Sequence, residues 1–365
     1  MADTSVTVTV NGAPIPDADL SRVLSVDVSE AIGSQTQVTI VVSVQADSTS
    51  HWTSPLDSLV APFAPFQISL SRGPDSLVVP ARATTASWNL SAGGSSTLTI
   101  AGLDSSADLD REDHDHDWGG VSDADIARTL LGPVATPQVG TTPAPDGTDR
   151  FTPHQRGTDW SYLKALAARN DFDVYLEQRD GQLVGVFDHV DPMATPATTL
   201  NLGYGEHGGT ANVSVQLAAG QKVKFTHGVD GSGSQQISDN DGTGNAMGTQ
   251  SLGGAVTVLR DPADLAGTQP PDVAARVLAE HSAFAASLSV SLSTPNMPLV
   301  RARRTVQVRG LGDLVSGPWL VKSVRHTVTP GGHTQNLSLT RNALGDPTAS
   351  SGGALGAALS AAVSL

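Results

Sequence analysis

Between Arg303 and Asn342 the chain reads RRTVQVRGLGDLVSGPWLVKSVRHTVTPGGHTQNLSLTRN, three runs that alternate apolar and polar residues with glycine between them. Val306 and Val308 alternate with Thr305, Gln307 and Arg309, a period of two that suits a strand with one wet face. Gly310, Gly312, Gly317 and Pro318 punctuate a turn, and Trp319-Leu320-Val321 opens a second strand running past Val324 towards Val328. Pro330-Gly331-Gly332 turns the chain again, and Leu337 and Leu339 alternate with Asn336, Ser338 and Thr340 in a third strand. A three-stranded meander has one apolar face, which needs a further sheet or closure into a barrel to be buried. The stretch holds no acid, base or nucleophile at a useful spacing, so it reads as construction rather than chemistry.

Composition agrees with short strands and turns. Of 365 residues 37 are Gly and 22 are Pro, and only 16% are charged, so much of the polar surface must be Ser, Thr, Asn and Gly. A chain this long forms roughly two to four compact units. The formal charge of −15 opposes specific nucleic-acid binding, which needs a basic stripe. The absence of cysteine removes disulfides, thiolate catalysis and Cys-ligated zinc. MADTSVTVTVNG shows no secretory pattern, and the small-apolar run Gly352–Leu365 is too short and too rich in Gly and Ser for membrane insertion.

Residues 1–104 read as all-β. Strands are expected over Thr4–Val10, Val23–Val28, Gln37–Val44, Phe66–Ser71, Ser76–Val79, Thr84–Leu90 and Ser96–Leu103, with turn signals between them. Residues 105–210 form an α+β middle segment. Ser122 is placed as the N-cap of a helix with Asp125 at N3 and Val121/Ile126 as staple, Thr158 caps a second helix, and a hairpin turns at Arg179-Asp180-Gly181. Pro137–Gly147 reads as a loop. A second β-unit is assembled from 211–229 and 288–345, interrupted at 230–287 by a glycine-rich polar loop and a helix over Asp272–Ala286. Residues 346–365 are a tail, read either as a frayed end or as a docking peptide.

The order of these motifs resembles a known family. Strand, GLG turn, Gly-x-Trp, strand, Val-x-His, Pro-Gly-Gly, strand and Arg-Asn at 341–342 is similar to the barrel closure of the phage late control D (tail-hub) proteins and the base of the type VI valine-glycine-repeat spikes. RGTDWSYLKALAARNDFDVYLEQRDGQLVGV resembles the family's helix-hairpin block, and GLD at 102–104 followed by VSDADIA at 121–127 its preceding passage. The departure is at Glu112–Asp117, acidic where basic or neutral residues are expected. The resemblance implies a mainly β fold with α+β insertions, in which two tube-protein-like β-barrels, the second discontinuous, carry mixed α/β segments. It implies a non-enzymatic homotrimer, assembled in the producer cytoplasm. This hub would join a sixfold inner tube protein to a threefold spike protein, with baseplate and peptidoglycan-binding-type adaptor proteins around it. The spike is then expected to be a separate protein.

Candidate sites are few. In Asp113-His114-Asp115-His116-Asp117, His114 and His116 share one face of a strand and with Asp115 are the weak metal candidates; a solvated acidic loop is the plainer reading. No G-x-S-x-G elbow or phosphate-binding loop is present, and no catalytic residue or cofactor is assigned. Trp88, Trp118, Trp160 and Trp319 are expected to anchor cores, Trp52 to sit on a loop, and His326 to pack within a barrel. The alternative function is a β-rich surface or secreted binding module, for carbohydrate and with metal at the Asp/His run; a metal-dependent hydrolase would need further ligands from elsewhere.

Overall fold

The computed structural model describes residues 4–46, 51–91, 95–142, 154–203, 207, 209–216, 220–228, 234–240, 246–252, 254–260 and 284–347; at 46, 220–228, 234–240, 251 and 254–260 it describes backbone alone. The expected helix over Asp272–Ala286 and the tail beyond Pro347 lie almost wholly outside these residues.

The amino-terminal part runs β1 (Ser5–Val10), β2 (Ala13–Pro14), a one-turn helix α1 (Asp17–Leu20), β3 (Val23–Ala31), β4 (Gln37–Ala46), β5 (Trp52–Thr53), β6 (Pro65–Arg72), β7 (Asp75–Asn89) and β8 (Ser96–Asp104). The middle part holds β9 (Asp113–Asp117), α2 (Asp123–Leu131), β10 (Thr136–Val139), β11 (His154–Thr158), α3 (Asp159–Asn170), β12 (Asp173–Arg179) and β13 (Gln182–Asp188). The remainder is β14 (Thr199–Asn201), β15 (Gly209–Val215), β16 (Gly220–Gly228), β17 (Ser234–Asn240), β18 (Gln250–Ser251), β19 (Gly254–Arg260), β20 (Ala286–Leu292), β21 (Thr305–Arg309), β22 (Gly317–Thr329), β23 (Gly332–Arg341) and β24 (Ala343–Leu344).

The protein is mainly β with α+β segments, and its two expected β-units are two cores on one continuous sheet. The path runs β15-β20-β23-β22-β3-β4-β8-β7-β6-β1-β2, with β21 beside the start of β22 and β14 parallel to β21. Val26, Val28, Ile40, Ile68, Leu70 and Ile100 centre the first core; Leu288, Val290, Val306, Trp319, Val321 and Leu339 centre the second. Alternation produces both, since each strand sends every second side chain to one face. The first half curls back on itself: Thr4, just before β1, hydrogen-bonds His333 on β23 at 2.8 Å although β1 lies near the far end of the path.

The two halves share a strand order. β6-β7-β8-β4-β3 in the first corresponds to β21-β22-β23-β20-β15 in the second, every contact antiparallel. The register agrees as well. Arg82 pairs with Pro65 and Leu320 with Thr305, and each long central strand carries a bulge just beyond, between Ala83 and Thr85 and between Val321 and Ser323. A bulge bends a strand and lets its two ends pair with different partners. That is why Ser76–Val79 and Thr84–Leu90, expected as two strands, form the single bent β7. β22 bends likewise: its start pairs with β21, and its end, Ser323–Val328, pairs with Ala31–Val26 of β3. This join fuses the halves.

Other expectations need correction. Residues 220–228, expected in the second β-unit, form β16, which pairs with β17 and β19 in a separate three-stranded sheet. Pro137–Val139, expected in a loop, belong to β10, parallel to β13. The helix starts are as expected: Ser122 Oγ accepts from Asp125 N at 3.1 Å while its hydroxyl donates to Asp125 Oδ2, and Thr158 Oγ1 accepts from Ser161 N. Gly102 is required by close approach, because a Cβ there would stand 2.5 Å from the Arg82 carbonyl oxygen and 2.8 Å from the Phe66 ring.

Candidate assembly interface

The sequence-derived metal residues are split by the fold. β9 pairs with β11, so its side chains alternate across an exposed two-stranded ribbon. His114 faces Asp159 at 3.7 Å and His116 packs edge-on against Trp118, whereas Asp115 points the other way, to His154 Nε2 at 2.8 Å. Among the described residues no group of three or more His, Cys, Asp or Glu is placed to hold an ion.

What holds the units together is a cluster of arginines that sequence reading passed over. Arg301 reaches Glu30 at the end of β3 with Nε 3.0 Å from both carboxylate oxygens and Nη2 2.7 Å from Oε1. Arg303 ion-pairs with Asp173 on β12, stacks 4.3 Å from the Tyr175 ring, and donates to the carbonyls of Ala31 and Ser34. Arg304 grips Glu177 through two contacts of 2.9 Å. The lead into β21 therefore clamps the join of the two halves and the middle hairpin at once. Burial would raise the Glu30 pKa, but the charge and hydrogen bonds of Arg301 outweigh it and hold Glu30 below the usual carboxylate range. The same pair raises Arg301 against the opposing effect of burial. The signal in the sequence was the run Arg301-Ala302-Arg303-Arg304 directly before an apolar strand.

Within the join, His326 on β22 is fully buried, with Nδ1 3.3 Å from His333 Nε2. Burial lowers His326 to about 4; burial, then the neighbouring His326 and Arg72, lowers His333 to about 3. Both are neutral near pH 7. The Arg-Asn pair ending the meander also has a structural task. Buried Arg341 donates to the carbonyls of Val315, Ser316, Met247 and Gly345 and lies 5.1 Å from the Trp319 ring centre, while Asn342 accepts from Met247 N.

Trp160 and Trp319 anchor cores as expected, and Trp118 packs partly buried against the middle core. Trp88 does not. It is 47% exposed, beside Leu90 at 48%, on the part of β7 that extends past β6. β15, the first strand of the sheet path, exposes Val213 at 40%. The expectation for Trp88 fails because burial there needs a strand beside the end of β7, and the described residues supply none.

No protein-family model and no curated protein sequence matches the chain. Solved structures do. A tail protein from Neisseria meningitidis is 13% identical with a TM-score of 0.60, over 93% of this chain and 97% of that one. The 43 kDa tail protein of prophage MuSo2 from Shewanella oneidensis is 12% identical with a TM-score of 0.64, over 93% and 99%. An E. coli component of the type VI secretion system, described as structurally similar to T4 bacteriophage tail proteins gp27 and gp5, is 10% identical with a TM-score of 0.55, over 92% and 76%. At such identities the likeness is one of fold: this chain shares the fold of phage tail and secretion-spike-related proteins along nearly its whole described length.

Proposed function

We propose that this chain is the structural hub of a phage tail or phage-like contractile injection system, a homotrimer that joins a sixfold inner tube to a threefold spike and the baseplate. The observation that carries the reading is the internal repeat, two half-sheets with the same strand order, register and bulge position. Three such chains offer six nearly equivalent half-sheets to a sixfold tube ring, while the differing middle segments keep the assembly threefold. The fold likeness to tail proteins and to a type VI component supports the same setting. The hub acts by assembly, with no catalytic residue and no cofactor. It is built in the producer cytoplasm and meets the tube protein, the spike protein and a peptidoglycan-binding-type adaptor.

The test is co-expression with the tube and spike proteins of the same particle, followed by affinity capture and light scattering. A three-copy hub bound to both partners is the expected result. A chain that captures neither partner overturns the reading.

A further inference from the structure

The join between β3 and β22 is one half of a repeated device, and its second half is open. In the join, Ser323, Val324, Arg325, His326, Thr327 and Val328 pair with Ala31, Glu30, Ser29, Val28, Asp27 and Val26. The register common to the halves assigns each participant a counterpart. Through β8 and β23, Thr85–Asn89 correspond to Ser323–Thr327, and the next residue, Leu90, extends the register to Val328. Through β4 and β20, Ala211–Ser214 correspond to Val26–Ser29, and the next two residues extend the register from Val215–Gln216 to Glu30–Ala31. Among the described residues no strand pairs with the outer edge of β15, or with Thr85–Asn89 on the side away from β8.

We infer that the edge β15 of one copy adds antiparallel to the end of β7 in a second copy, repeating the β3–β22 join between molecules and closing copies head-to-tail into a ring. This rests on the hub reading and names the surface by which its copies meet. The register pairs Thr85 with Gln216, Ala86 with Val215, Ser87 with Ser214, Trp88 with Val213, Asn89 with Asn212 and Leu90 with Ala211.

That register was fixed by the folded chain, not by matching the two edges, yet it sorts them by face. Ala86 packs against the first core, and Ala211 and Val215 against the second, so the pairs at Ala86, Trp88 and Leu90 face the cores and all are apolar. The alternating pairs at Thr85, Ser87 and Asn89 face away and all are polar. A slip of one residue would set Trp88 opposite Asn212 or Ser214 and reverse every face. The intrachain join shows what pairing does: Val28 and His326, counterparts of Val213 and Trp88, are both fully buried. Neither edge carries an ionisable residue, although unpaired edges are usually guarded by charge. The contact is heterologous, each copy giving β15 on one side and β7 on the other, so it propagates and closes only as a ring.

The chain lacks cysteine, which makes the test clean. Ser87→Cys with Ser214→Cys places thiols across one predicted pair. Oxidation with copper-phenanthroline is expected to give an intermolecular ladder ending at the ring, while Ser87→Cys with Thr210→Cys, four residues out of register, gives at least a tenfold lower yield. Trp88→Glu is expected to abolish assembly and leave the unfolding midpoint of the single chain unchanged, since that side chain is already half exposed. If the wild-type hub assembles and the Ser87/Ser214 pair stays uncrosslinked, this join is wrong and the hub reading survives. If tube and spike bind but Trp88→Glu assembles normally, the join is again wrong. A wild-type chain that stays monomeric and captures neither partner overturns both.

Discussion

Trp88 occupies in the first half-sheet the register position that His326 occupies in the second. Each lies four residues past the position where its strand bulges, Trp88 opposite Leu98 and His326 opposite Gln335. His326 is fully buried and Trp88 is 47% exposed, because β3 covers the first and no strand among the described residues covers the second. Fold and assembly meet at this pair of positions.

Removing one partner of the Glu30–Arg301 pair leaves the other charge buried and uncompensated. Glu30→Ala is expected to cost about 3–5 kcal/mol of stability by urea unfolding, whereas Glu30→Leu combined with Arg301→Met restores much of the loss. Equal losses in the single and double variants would show that the pair is not coupled.

Stability should fall with acid earlier than carboxylates alone would produce. His326 and His333 are lowered to about 4 and about 3, while an unfolded histidine titrates near ~6.5. Their contribution is present in full above about pH 6.5. Between there and about pH 4 the unfolded chain binds protons that the native chain refuses, so stability drops by up to about 1.4 kcal/mol per pH unit for each ring. The charges facing them are Glu30, which favours protonation of His326, Arg301, which opposes it, and Arg72, which opposes that of His333. Lowered Glu30 adds its own loss at still lower pH, and Asp104, raised chiefly by burial, works the other way. Urea midpoints measured from pH 7.5 to 5 should decline in the wild type and flatten in His326→Gln/His333→Gln; a level wild-type profile contradicts this.

Gly102→Ala should cost about 1–3 kcal/mol or more, because the added carbon meets backbone at 2.5 Å and a ring that is itself packed in the first core. Thermal unfolding reads the effect. An unchanged midpoint would mean that β7 and β8 part more easily than their pairing indicates.

Protein purified without chelator is expected to hold no stoichiometric metal, since Asp115 and His116 project from opposite faces of one exposed ribbon. Elemental analysis decides it. Bound zinc or calcium lost in His114→Ala/His116→Ala would instead support a metal-dependent binding module.

Much was readable from local rules. Alternation marked the strands from Thr305 to Arg341, Ser122 and Thr158 marked their helices, and Asp180-Gly181, both at positive φ, marked the hairpin. These signals depend on residues a few positions apart, whose faces and caps are set by backbone geometry. Which edge meets which is a different kind of fact. The ion pair of Glu30 with Arg301 spans 271 positions and the pairing of β3 with β22 nearly 300, and no periodicity encodes either. An apolar residue on an alternating strand records which face it occupies, not whether a neighbouring strand exists to cover it. Sequence thus determined that Trp88 sits on the inner face, and the tertiary structure decided that no described strand covers it: the bulge after Ala83 carries the end of β7 past β6, its partner on that side among the described residues.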